Sequence, residues 1–289
     1  PGRSEEQRMI EPDGSADPAI LVSDLTLGYP AHAGSAPYNA VEGIDFEVRR
    51  GEVRALLGES GSGKSTLMRF LAGHADAAGD RGARIRVQNG DATVLGVPLR
   101  RARKRQITRL TARVGFLAQG SAATLPAELN VGDILMQPIT ERTKRFDRSE
   151  LGEQIAEMMD ILGLPLSKLQ EYPYELSKGQ RQRVAVIRSL MLTPSLYLAD
   201  EPTLGVDALG RPGIVELFRW YRERTGATMM LVSHDIAMLE ALVEQVIVMQ
   251  EGRLVGAGDI NEIFRHEDHL YVQQLARALR ATAYDEIAE

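Results

Sequence analysis

Residues 58–66 read Gly58-Glu59-Ser60-Gly61-Ser62-Gly63-Lys64-Ser65-Thr66: a glycine, four residues, then Gly-Lys-Ser. No other stretch of the chain restricts its fold as strongly. Glycines let successive backbone N–H groups converge on one anion, and a helix starting at the lysine turns its positive dipole end toward the same point. Lys64 then reaches β- and γ-phosphates, and the Ser65 hydroxyl is placed to hold Mg²⁺. Val53-Arg54-Ala55-Leu56-Leu57 is a short apolar run suited to a buried strand, and Thr66–Leu71 continues as an amphipathic helix. A glycine-serine turn that merely happens to carry a lysine would explain neither flank.

Further along, Leu196-Tyr197-Leu198-Ala199-Asp200-Glu201-Pro202-Thr203 is an apolar strand ending in two acids. Ligands of α/β sheets bind at the carboxyl ends of strands. Asp200 there suits the Mg²⁺ shell, and Glu201 suits polarisation of a water that attacks a γ-phosphate. An acidic pair after a strand is usually structural; a phosphate loop earlier in the same chain is what gives this one a catalytic reading.

The rest of the chain alternates. Short strand pieces are expected at 20–22 and 25–27, an alternating strand at 41–48, further short strands at 85–87 and 92–95, and another at 114–118. Apolar spacing through 131–170 is helical, and Ser177 is placed to cap a helix over 178–192. Strand, helix, strand and helix follow at 195–199, 214–224, 228–233 and 236–243, then strands at 246–249 and 253–255 and helices at 260–265 and 270–282. There is no internal repeat, so one nucleotide-binding unit is expected, in an α/β fold with a parallel central sheet. Arg100, Arg101, Arg103, Lys104, Arg105, Arg109 and Arg113 form a basic run without interleaved aromatics, which favours a solvated helix face over a nucleic-acid or lipid patch.

Composition limits partners and chemistry. The net charge of −6 gives no support to nucleic acid as the main partner. The absence of cysteine rules out disulfides, thiolate zinc sites and iron–sulfur clusters. No apolar run approaches the roughly 20 residues that span a bilayer, so membrane association is expected through a partner. Residues 1–18 are polar and are expected to form a flexible tail rather than a signal peptide.

Leu176-Ser177-Lys178-Gly179-Gln180 resembles the Leu-Ser-Gly-Gly-Gln signature of the ATP-binding cassette (ABC) family, the ATPase subunits of ABC transporters. The resemblance covers about residues 19–258 and implies a P-loop NTPase core of the ABC ATPase type. That core has a mainly parallel sheet with flanking helices, an antiparallel β subdomain and a helical signature subdomain, here the insertion at about 125–190. Residues 259–289 would be a C-terminal helical extension.

The resemblance also implies roles. The signature contacts ATP held by the opposite subunit of a head-to-tail dimer. Gln119 matches the glutamine that touches Mg²⁺ and the lytic water, His234 the switch histidine at the γ-phosphate, and Asp207 the aspartate of the dimer-bridging loop. Tyr29 matches the aromatic that stacks on adenine, with Tyr38 as runner-up. Cofactors would be ATP and Mg²⁺, with hydrolysis depending on Glu201, His234 and Gln119.

Expected partners are integral-membrane permease subunits, a second cassette and an extracytoplasmic solute-binding protein, which places the chain at the cytoplasmic face of the membrane. Glu171-Tyr172-Pro173-Tyr174-Glu175-Leu176-Ser177 and His269-Leu270-Tyr271-Val272-Gln273-Gln274-Leu275 look like importers of oligopeptides, dipeptides or nickel. Alternatives are a soluble cassette in a carbon–phosphorus lyase assembly, or a mainly ATP-binding subunit. The last follows from two departures: Lys178 replaces a signature glycine, and the usual Ser-Ala-Leu-Asp reads Leu204-Gly205-Val206-Asp207.

Overall fold

The computed structural model describes residues 17–31, 36–75, 84–143, 146–260 and 262–263. Most of the expected C-terminal extension, the segment 269–275 and residues 1–16 of the expected tail lie outside these.

In chain order the strands and helices are β1 (Ile20–Tyr29), β2 (Tyr38–Val48), β3 (Val53–Leu57), α1 (Lys64–Leu71), β4 (Arg86–Val94), β5 (Val97–Pro98), α2 (Lys104–Leu110) and β6 (Val114–Leu117). Then come α3 (Val131–Thr140), α4 (Arg148–Ile161), α5 (Lys178–Leu190), β7 (Leu196–Asp200), α6 (Arg211–Thr225), β8 (Thr228–Val232), α7 (Ile236–Leu242), β9 (Gln245–Gln250) and β10 (Arg253–Asp259). Among the described residues they form two sheets, one in the order β2-β1-β4-β5 and one in the order β10-β9-β3-β8-β7-β6. The first is antiparallel. In the second, β9, β3, β8, β7 and β6 run parallel and β10 pairs antiparallel at the edge.

The parallel strands are buried on both faces, which is why they read in the sequence as continuous apolar runs rather than alternating ones. Val53, Ala55 and Leu57 face the core shared with α3–α6, while Leu56 faces the core that α1 and the antiparallel sheet complete. Tyr197 and Ala199 of β7 divide from Leu196 and Leu198 in the same way. This sandwiching fixes the register, because a one-residue slip would exchange the two cores. It also brings the carboxyl ends of β3, β6, β7 and β8 to one edge, where α/β ligands bind.

Two expectations change. The strand pieces at 20–22 and 25–27 are one strand, whose pairing with β2 and β4 shifts register around Ser23–Thr26. The pieces at 85–87 and 92–95 likewise merge into β4, across Asn89-Gly90-Asp91. Both polar interruptions resemble turns locally, but strand pairing overrides them. Residues 125–190 contain α3, α4 and α5, with two short 3₁₀ turns between α4 and α5.

Candidate active site

The phosphate loop leaves β3 and enters α1 through Gly63, whose φ is 102°. A Cβ there would stand 2.1 Å from the Ala40 carbonyl oxygen of β2, so only glycine lets the loop lie against that strand. Lys64 is buried, and its ammonium donates to the Gly58 and Glu59 carbonyls at 2.7 Å each and to Ser62 Oγ at 3.4 Å. These bonds fold the lysine into the cradle that its loop forms. Burial lowers its pKa, opposed by the charges of Asp200, Glu201 and Glu59.

The loop opens on a cavity of about 240 Å³ lined by Tyr38, Ala40, Ser60, Gly61, Gly63, Lys64, Ser65, Thr66, Gln119, Asp200, Glu201, Val232 and His234. The strand ends thus bring Gln119 from β6, the two acids from β7 and the histidine from β8 onto the phosphate loop. Asp200 is buried, and burial raises its carboxyl pKa against the opposing effects of a hydrogen bond from Ser65 and the charge of Lys64. Among the described residues no cluster of three or more His, Asp or Glu could hold a metal unaided. The paired oxygens of Ser65 and Asp200 instead suit a hard divalent ion that completes its shell with water and phosphate oxygens.

Glu201 is the strained member of the site. Its φ of 57° lies in the left-handed region, unusual for a residue with a side chain. Its N–H donates to the Val232 carbonyl at 2.8 Å, and its own carbonyl accepts from Gln182 Nε2 at 3.3 Å. Both backbone groups are therefore held while the side chain turns into the cavity. Burial, reinforced by Asp200, raises its pKa to about 7. His234 Nε2 lies 3.3 Å from Glu201 Oε1. Burial and then Lys64 lower the imidazole pKa, so near neutral pH this contact is a neutral imidazole beside a half-ionised carboxyl rather than a full ion pair.

The expected aromatic and its runner-up are adjacent. Tyr29 and Tyr38 stack with centroids 5.3 Å apart; the Tyr29 hydroxyl shares a 3.1 Å hydrogen bond with Thr66 Oγ1, and Tyr38 forms the cavity wall.

Leu176–Gln180 and Asp207 do not line this cavity. They meet each other elsewhere: a Cβ on Gly179 would lie 3.2 Å from the Gly205 carbonyl oxygen and 4.0 Å from the Asp207 nitrogen. Ser177 caps α5, accepting from the Gln180 N–H at 3.2 Å while Gln180 Oε1 accepts from the Ser177 N–H at 2.8 Å. Ser177 and Lys178 remain exposed at that helix start.

Sequence reasoning missed two supports. Gln182, 4 % exposed, donates to the Pro202 carbonyl at 3.0 Å as well as to Glu201. Its position on the buried stripe of α5, three residues from both Gly179 and Ala185, was the available signal. Arg211 donates to the Val206 carbonyl at 3.2 Å and lies 3.9 Å from Asp235, whose other oxygen caps α7 through the Met238 N–H.

A family model described as ABC transporter matches residues 41–204. The oligopeptide transport ATP-binding protein OppD of Mycobacterium tuberculosis is 35 % identical over 255 residues, covering 88 % of this chain and 40 % of that protein. The chain therefore spans well under half of that relative's length. A putative peptide import ATP-binding protein of Brucella abortus is 30 % identical over 88 % of this chain and 73 % of its own length. Among solved structures, the ATP-binding cassette MJ0796, a dimer in a post-hydrolysis state bound to ADP and Pi, superposes with a TM-score of 0.72 at 22 % identity over 83 % of this chain and 98 % of that one. The cbiO1 protein of Clostridium perfringens, part of the transporter complex cbiONQ, gives 0.69 at 24 % identity, covering 92 % of this chain and 100 % of that one.

Proposed function

The chain belongs to the ABC transporter family, and from that premise we propose that it binds and hydrolyses ATP to drive import of a peptide or similar small solute. The observation that carries this is the convergence of Lys64, Ser65, Gln119, Asp200, Glu201 and His234 on one cavity. Names of relatives in peptide transport supply the substrate class.

In this reading Lys64 exchanges its loop carbonyls for β- and γ-phosphate oxygens, joined by the N–H groups of residues 60–66. Tyr38, rather than the expected Tyr29, stacks on the adenine, because Tyr38 lines the cavity and Tyr29 packs behind it. Ser65, Asp200 and Gln119 would hold Mg²⁺, which would neutralise charge on the phosphates. Glu201 takes a proton from the attacking water at a carboxylate oxygen, and Gln119 orients that water. A carboxyl with a pKa near 7 is ionised in part at working pH and is basic enough for this role. His234, neutral and beside Glu201, holds the γ-phosphate side of the site. Leu176–Gln180 and Asp207 act on the nucleotide of a second cassette, which agrees with their absence from the lining of this chain's own cavity.

Among the described residues no helix is long and apolar enough to cross a membrane. The chain would sit at the cytoplasmic face of the membrane on integral permease subunits, which would supply the pathway, and an extracytoplasmic binding protein would deliver the solute. The complete set of residues at the chain's own phosphate loop favours hydrolysis there over mere nucleotide binding.

The test is ATP affinity and ATP-dependent peptide uptake in vesicles carrying the assembled transporter. Lys64→Ala should weaken ATP binding at least about tenfold, since charge-assisted bonds to phosphate are lost, and abolish uptake. Unaltered affinity would remove the reading.

A further inference from the structure

Lys178 and Gly205, one residue from each of the two departures from the family pattern, lie against each other. A Cβ on Gly205 would stand 2.6 Å from Lys178 Cε, 3.0 Å from Cδ and 3.2 Å from Cγ. The lysine stem therefore runs across the glycine backbone and occupies the space of the side chain that the family usually carries there. Gly205 also has a φ of 76°, so the loop turns where an L side chain is disfavoured. Next to this contact Val206 is buried and Gly179 sits tightly on the Gly205 carbonyl. Among the described residues no hydrogen bond or ion pair engages the Lys178 ammonium, so methylene packing is what the lysine contributes here.

We propose that Lys178 is a positioning residue: its aliphatic stem, laid over Gly205, fastens the start of α5 to loop 204–207, so that the two partner-facing segments move as one unit. Glycine at 205 and lysine at 178 are then one change in two places, a knob and its hole, rather than a damaged signature. The fastening reaches the chain's own site, because α5 also grips the Glu201 and Pro202 carbonyls through Gln182.

The partner-facing role rests on the functional reading above; the interlock itself is a packing statement and is tested separately. Gly205→Ala is made in three backgrounds, native, Lys178→Met and Lys178→Gly, in the full chain assembled with its partners. The alanine methyl pushes the stem aside in the first two, at a modest cost because the exposed lysine can move, so kcat for ATP should fall about threefold further there than in the glycine background, with KM moving less than about threefold. In the Lys178→Gly background only the left-handed backbone cost remains, and the loss should be no more than about threefold. Thermal melting of the nucleotide-free chain through the same set should show the same coupling.

Equal cost of Gly205→Ala in all three backgrounds, in melting and in turnover, would overturn the interlock. So would Lys178→Met behaving as Lys178→Gly does, since the ammonium rather than the stem would then matter. If melting shows the coupling while the native complex turns over no ATP, the interlock stands and the functional reading falls.

Discussion

Glu201 combines a left-handed backbone with a buried carboxyl beside Asp200. Each is unfavourable: a strained backbone of this kind costs on the order of 1–3 kcal/mol. The backbone bonds to Val232 and Gln182 hold the residue in place regardless. The raised pKa has a definite sign. Between the ordinary value of 4.5 and about 7 the native state keeps a proton that the unfolded chain has released. Stability of the nucleotide-free protein therefore falls as pH rises through that window and levels off above it, by up to about 3 kcal/mol from this group. Glu201→Gln should flatten that slope and raise the melting temperature at pH 8, which thermal melts from pH 4.5 to 8 will show. In the native enzyme kcat/KM should lose activity as pH falls through about 7, because the base must be ionised. A profile flat from pH 6 to 8 would deny Glu201 the part of base.

At the scale of elements, α5 serves two places. Its first turn carries Lys178–Gln180, the proposed signature, and one turn later Gln182 ties the helix to the carbonyls that follow β7. Gln182→Leu should leave the Pro202 carbonyl buried without a donor and cost about 1–3 kcal/mol, measurable by urea unfolding. Local patterns showed α5 and β7 in the sequence because a capping serine and a doubly buried apolar run are visible within a few neighbours. The phosphate loop was legible for the same reason, since its glycines, lysine and serine are contiguous. Gln182 was not, because its partners lie 19 and 20 residues away. The same limit split β1 at Ser23-Asp24 and β4 at Asn89-Gly90-Asp91: polar, turn-forming residues stay in strands only because two partners pair with β1 on either side. The Lys178–Gly205 contact spans 27 positions, and as separate departures the two residues looked like defects.

For the molecule as a whole, the parallel sheet sends four strand ends to one edge and so brings the candidate site residues from Ser60 to His234 onto one cavity. Leu176–Gln180 and loop 204–207 meet each other and do not line that cavity, as expected if, as proposed, they serve the nucleotide of a second cassette. The basic run between 99 and 113 falls on the 3₁₀ turn after β5 and on α2, where Arg100, Arg101, Arg103, Lys104, Arg105 and Arg109 are exposed, as a solvated face would be.

ATP binding and turnover of the assembled complex, compared between the native chain and Glu201→Gln, test the central claim most directly. The variant should bind ATP within about threefold of native, lose about 10²–10³ in kcat, and accumulate as a closed, nucleotide-bound pair of cassettes. Turnover equal to the native rate would contradict hydrolysis at this site.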